Sequence, residues 1–129
     1  MTVELTVIAK DRIGLLADVS EALANAKVNI ENIALETSNQ TAVTRLLVSD
    51  ERKARHALET AGFKVVPSDV LVVRLKDRPG ELAKITRALA DKKINIESTY
   101  ILSKHGDQTL VAVRCEDVPK AKTALKAYL

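Results

Sequence analysis

Asp77-Arg78-Pro79-Gly80-Glu81-Leu82-Ala83 is matched by Asp11-Arg12-Ile13-Gly14-Leu15-Leu16-Ala17, 66 positions earlier. The same shift carries Ala22-Leu23-Ala24 onto Ala88-Leu89-Ala90, and Lys27-Val28-Asn29-Ile30-Glu31 onto Lys93-Ile94-Asn95-Ile96-Glu97. Over residues 11–36, 12 of 26 positions are identical to their counterparts. A period of this size marks a chain built from two similar units. Further along the shift becomes 67, so that Asp50, Lys53, Ala54, Ala57 and Leu58 fall on Asp117, Lys120, Ala121, Ala124 and Leu125. One extra residue in the second repeat accounts for the change, and His105-Gly106-Asp107 is where the sequence suggests it lies.

Outward from the repeated turn, hydrophobic periodicity supplies the elements. Val3, Leu5 and Val7 alternate with polar residues, as in a half-buried strand. Leu15 or Leu16, Val19, Leu23 and Ala26 recur at helical spacing. Val28 to Leu35 and Ala42 to Ser49 read as two strands joined at Asn39-Gln40. Asp50 suits the N-cap of a helix with Ala54, Ala57, Leu58 and Ala61 on one face, and Gly62 suits its end. Phe63 to Val66 is a short fourth strand. The second repeat gives strands at Val70 to Leu75, Ile94 to Ser103 and Gln108 to Cys115, with a helix from Gly80 to Lys92. Its last helix starts at the cap Asp117, with Pro119 in the first turn where proline is tolerated. The expected fold is α+β: two ferredoxin-like βαββαβ modules in tandem, residues 1–67 and 68–129, joined by Pro67-Ser68-Asp69, with the second lacking its last strand.

Composition bounds the rest. The chain has 129 residues, a net charge of +3 and a pI near 9.1, a weak signal for nucleic acid. Phe63, Tyr100 and Tyr128 are the only aromatic residues, so the stacked aromatics of an RNA-reading sheet are missing. Cys115 is the single cysteine and alternates with Val111 and Val113, as a core thiol would. His56 and His105 are far apart and read as surface residues. Arg52, Lys53, Arg55, Lys120, Lys122 and Lys126 read as solvated helix faces. No catalytic set, metal motif or cofactor loop emerges. No apolar run is long enough for a bilayer and the N-terminus reads as a strand, so a cytoplasmic protein is expected.

Two repeated motifs remain: Asp-Arg-x-Gly where a strand gives way to a helix, and Asn-Ile-Glu where the next strand begins. A glycine permits a tight turn, and a free helix N-terminus attracts carboxylate or phosphate. Asparagine both donates and accepts hydrogen bonds. Together these suit a zwitterion, with Asp11 or Asp77 facing its ammonium. Plainer readings stand beside this one: turn glycines, aspartates as helix caps, and Asn29 and Asn95 as left-handed helix stops.

Strand, Asp-Arg-Pro-Gly-x-Leu, amphipathic helix and Ile-Asn-Ile together resemble the ACT domain, a regulatory module of amino-acid metabolism, over nearly the whole chain, twice. The resemblance implies an effector between side-by-side domains. One site would use Lys10, Asp11, Arg12, Ile13, Gly14 and Leu15 with Asn95 and Ile96. The other would use Lys76, Asp77, Arg78, Pro79, Gly80 and Glu81 with Asn29 and Ile30. Several effector-binding members carry Asn at the positions of Asp11 and Asp77, and many carry Pro at that of Ile13. The implied function is an amino-acid-binding, allosteric regulatory protein that is not itself an enzyme and acts through an enzyme partner. Leu15, Ile30 and Ile96 favour a ligand with an apolar side chain. The alternative is a ligand-free assembly module packed against an enzyme of amino-acid metabolism. Neither nucleic acid nor membrane is expected as a partner.

The second repeat stops where its fourth strand should begin, which would leave Val70 to Leu75 as an apolar edge. Leu110, Ala112, Ile8, Val43 and Leu47 would add outward apolar surface. A homodimer covering them is the expected assembly, with the Phe63 to Val66 strand as an internal alternative shield.

Overall fold

The computed structural model describes residues 2–129. The element order is β1 (Thr2–Lys10), α1 (Leu15–Asn25), β2 (Ile30–Ser38), β3 (Thr41–Val48), α2 (Glu51–Thr60), β4 (Lys64–Lys76), α3 (Glu81–Asp91), β5 (Ile96–His105), β6 (Gln108–Cys115) and α4 (Val118–Ala124). A short 3-10 turn, Lys126–Tyr128, follows, and no strand comes after it among the described residues. The chain divides into two compact units, Val3–Ser68 and Asp69–Leu129, the latter including Thr2. Strand order is β2-β3-β1-β4 in the first and β4-β6-β5 in the second. This is the βαββαβ pattern expected from the sequence.

Each unit has its own aliphatic core. In the first, Leu5 and Val7 of β1 and Leu46 of β3 meet Val19 and Leu23 of α1 and Ala54 and Leu58 of α2. Leu5 lies directly across from Leu46 in the antiparallel ladder, so their side chains share the helix-facing side. In the second, Leu71, Val73 and Leu75 with Val111 and Val113 meet Ile85, Leu89, Ala121 and Leu125. Val19 and Leu23, like Ile85 and Leu89, stand four residues apart on one helix face. Each fully buried leucine contributes roughly 1.5–3 kcal/mol relative to exposure.

The helix ends are set locally. Asp50 and Asp117 cap α2 and α4, their carboxylates accepting from the backbone N–H groups of Lys53 at 3.1 Å and Lys120 at 3.0 Å. Three helices close with paired bonds of the Schellman type. At the end of α2, Phe63 N–H donates to Leu58 O and Gly62 N–H to Glu59 O, with Gly62 at φ 93. The equivalent left-handed residues after α1 and α3 are Lys27 and Lys93, both at φ 59, and not Asn29 and Asn95. Between β2 and β3, Asn39 and Gln40 both have positive φ, 50 and 68, the signature of a two-residue type I′ hairpin turn.

Three sequence expectations are corrected. Pro67-Ser68-Asp69 is not a loop but lies within the strand β4. Proline biases the residue before it towards extended backbone, and valines at 65, 66 and 70 favour the same conformation. The extra residue of the second repeat is not in the His105-Gly106-Asp107 turn. Both hairpins leave two residues between their strands, and the insertion is absorbed in β5, where pairing jumps from Ile101↔Val111 to Ser103↔Leu110 and leaves Leu102 as a bulge. The first repeat pairs without a break from Leu35↔Thr44 to Glu36↔Val43. Finally, Val70, Leu47 and Ala112, expected to be left open by a monomer, are 1%, 7% and 1% exposed in the single chain, already covered by its own side chains. Ile8, at 40%, does remain open.

Candidate functional site

The two strand-to-helix turns share one backbone design. Gly14 and Gly80 sit at the N-caps of α1 and α3 with φ 87 and 90, the left-handed region that disfavours any other residue. A Cβ on Gly80 would meet nothing within 4 Å, so torsion and not crowding calls for glycine there. Neither helix has a side-chain cap, so Asp11 and Asp77 do not serve as caps.

The turn of the second module is densely charged. Asp77 is paired with Lys104 of β5 at 3.2 Å. Arg78 Nε and Lys84 Nζ both engage Oε1 of Glu81, the latter at 3.4 Å. The Glu81 side chain is only 8% exposed. The Arg78 hydrogen bond holds its carboxyl below the usual glutamate range; burial opposes this, and the charges of Arg78 and Lys84 reinforce it.

This turn forms the mouth of a cleft of about 270 Å³ contained within the second module. Buried Leu75 and Val111 and exposed Leu82 and Ile101 give it apolar walls, and Tyr100, Thr99 and Thr109 add hydroxyl-bearing residues. Lys76, Asp77, Arg78, Glu81 and Lys104 line the rest, three cations against two carboxylates. Thr109 is 6% exposed, and its Oγ1 has no hydrogen-bond partner among the described residues. Such a volume is slightly below the roughly 300–1,000 Å³ usual for ligand pockets, so it suits a molecule of amino-acid size.

Of the residues expected from the sequence, Lys76, Asp77, Arg78 and Glu81 come together here, while Pro79 and Gly80 shape the turn without lining the cleft. In the first module Lys10, Arg12 and Leu15 border a broader hollow of about 710 Å³ on the side of Gly62 and Phe63. Ile13 is fully exposed, and Arg12 is tied to Asp18 at 2.6 Å.

The Asn-Ile motifs lie elsewhere in each module. Asp11 N–H donates to Gln40 O, at the hairpin end of β3, whereas Asn29 exchanges bonds with Ser49 at its other end. The eight residues of β3 separate them, about 27 Å at 3.4 Å per residue. Asp77 beside Asp107 and Asn95 beside Glu116 repeat the arrangement. Within each module the turn and the Asn-Ile start lie at opposite ends of one strand.

Lys104 was missed by the sequence reading for a physical reason. Alternation from Thr99 and Ile101 puts position 104 on the opposite face of the strand. The Leu102 bulge restores it to the same face, where it pairs across from Thr109. Thr99 and Ile101 were legible in principle from alternation alone.

Other candidates resolve plainly. Cys115 is buried, and burial pushes its thiol pKa up, away from a reactive thiolate. His56 and His105 are exposed on α2 and at the end of β5. Among the described residues no cluster of His, Cys, Asp and Glu could hold a metal ion, and no helix is long and apolar enough to cross a membrane.

A family model described as an ACT domain pair matches residues 1–127. The chain belongs to that family. Protein BT0572 from Bacteroides thetaiotaomicron has a similar crystal structure, with a TM-score of 0.89, 27% identity, and coverage of 98% of this chain and 87% of that one. The ligand-free regulatory subunit of aspartate kinase from Thermus thermophilus superposes with a TM-score of 0.70 at 22% identity, covering 97% of this ACT pair and 88% of the subunit. The corresponding subunit from Thermus flavus gives a TM-score of 0.64 at 20% identity, with the same coverages of 97% and 88%. These last two establish a shared fold. Among curated proteins, none matches the chain.

Proposed function

We propose that this ACT pair is a non-catalytic regulatory protein that senses a free amino acid and passes the signal to an enzyme partner. The observation that carries the reading is the second module's turn. There an Asp-Arg-Pro-Gly backbone sets paired positive and negative groups, Lys104–Asp77 and Arg78–Glu81, at the mouth of an apolar cleft. A zwitterion needs both signs within a few ångströms, and an aliphatic interior rewards burial of its side chain. The fold shared with regulatory subunits of aspartate kinase makes an enzyme of amino-acid metabolism the first partner to test.

Differential scanning fluorimetry against the twenty amino acids is the direct test. A ligand at one hundred times its Kd adds about 2.7 kcal/mol of stability. If no amino acid raises the melting temperature, the sensor reading fails.

A further inference from the structure

Helices α1 and α3 hold equivalent places in the two modules, and each leaves one face bare. The repeat shift sets Leu16 on Leu82, Ala17 on Ala83 and Ala24 on Ala90, and all six are exposed. Between the alanines the two helices differ in charge: position 21 is glutamate, and its counterpart at 87 is arginine. Both side chains are exposed, and neither has an ion-pair partner among the described residues. Asp18 and Lys84, one turn earlier, are by contrast engaged by Arg12 and Glu81 of their own modules. Glu21 and Arg87 each stand one residue past the centre of an eleven-residue helix. Two such helices crossing at their centres bring these positions together in either direction. On α3 a hollow of about 590 Å³ lies between Ala83 and Ala90 beside Arg87. Small residues there let a second helix come close, since the distance between packed helices is set by the side chains at the contact.

We propose that α1 of one copy packs against α3 of a second copy, so that the chain associates with itself through unlike modules. Pairing α1 with α1 would set Glu21 against Glu21, and pairing α3 with α3 would set Arg87 against Arg87. Like charges facing each other select against both arrangements, and the crossed pairing sets Glu21 against Arg87 instead. A two-fold dimer makes this contact twice, and a larger ring makes it once for each neighbouring pair. The contact requires no ligand and stands apart from the sensor reading.

Sedimentation equilibrium on the full chain, from micromolar to submillimolar concentration, tests it. The expected mass exceeds the 14.1 kDa of one chain. Glu21→Arg and Arg87→Glu should each weaken association about tenfold or more, because each sets like charges against each other at the contact. The double exchange of Glu21→Arg with Arg87→Glu should restore it. That variant carries both substitutions, so recovery separates lost pairing from lost folding. Pairing of like modules would instead leave both single variants associating as before, since either exchange only replaces one like-charged pair by another. Unchanged association in the single variants therefore overturns the assignment. So does a double exchange that stays dissociated, or a single-chain mass for the unaltered protein throughout the range.

Discussion

The turns at Gly14 and Gly80 carry the same Asp-Arg-x-Gly sequence and nearly the same backbone angles, yet the residue that follows differs. Leu15 is buried and apolar, whereas Glu81 is buried and charged. Arg12 reaches past Leu15 to Asp18, whereas Arg78 pairs with Glu81 itself. A duplicated backbone thus holds two chemistries. The torsional demand on glycine keeps the turn, and one side chain after it decides whether the turn meets an apolar contact or a charge pair.

The two modules can be set against each other by substitution at matched positions. Leu23→Ala and Leu89→Ala remove equivalent, fully buried side chains and should each cost roughly 2–5 kcal/mol in urea denaturation. A large gap between them would show that one core carries more of the stability.

Exchanging the residues after the glycines sharpens the contrast. Leu15→Glu buries a carboxylate while Arg12, three residues earlier, is already engaged by Asp18, at a cost of about 2 kcal/mol. Glu81→Leu should be nearly neutral for stability, because its partners Arg78 and Lys84 are more than half exposed and stay solvated without it. Equal losses in both would mean that the Glu81 pair supports the fold itself.

Gly14→Ala and Gly80→Ala should each cost about 1–2 kcal/mol, since both glycines are left-handed and a Cβ finds open space at Gly80. A much larger loss at one turn would point to a constraint beyond torsion. Lys27→Gly and Lys93→Gly should act in the opposite sense, each raising stability by up to about 1 kcal/mol, because both lysines sit at φ 59. Thermal melts resolve both pairs.

The smallest effect is the pH dependence that Glu81 adds in the second module. Glu81 has a depressed pKa in the folded state. Its contribution is therefore present above the unfolded glutamate value of about 4.3 and is lost as pH falls below that towards the folded pKa. Glu81→Gln should remove this part of the acid sensitivity, whereas Leu15→Ile in the first module should leave it intact. Melting curves between pH 3 and pH 7 on the variants make the comparison; an unchanged acid slope in Glu81→Gln would assign the effect to other carboxylates.

Much of the architecture was legible in the sequence because it rests on local patterns. The 66-residue repeat, the alternating strands, the caps Asp50 and Asp117 and the Asn39-Gln40 hairpin all depend on neighbours a few residues apart. Lys76, Asp77, Arg78 and Glu81 were legible as candidates for the same reason, being one continuous motif. What tertiary structure alone decided is where distant residues meet that motif. Proline at 67 reads as a break, yet the chain runs extended through it, since residues before proline favour the extended region. The extra residue reads as part of a turn, yet cross-strand hydrogen bonding places it at Leu102 and so sets which face Lys104 occupies. Thr109, more than twenty residues beyond the turn, reaches the cleft only because β6 pairs with β4 across from Leu75. Periodicity reports which side of an element is apolar; which side chains from separate strands converge on one cleft is set by register, and register is a property of the assembled sheet.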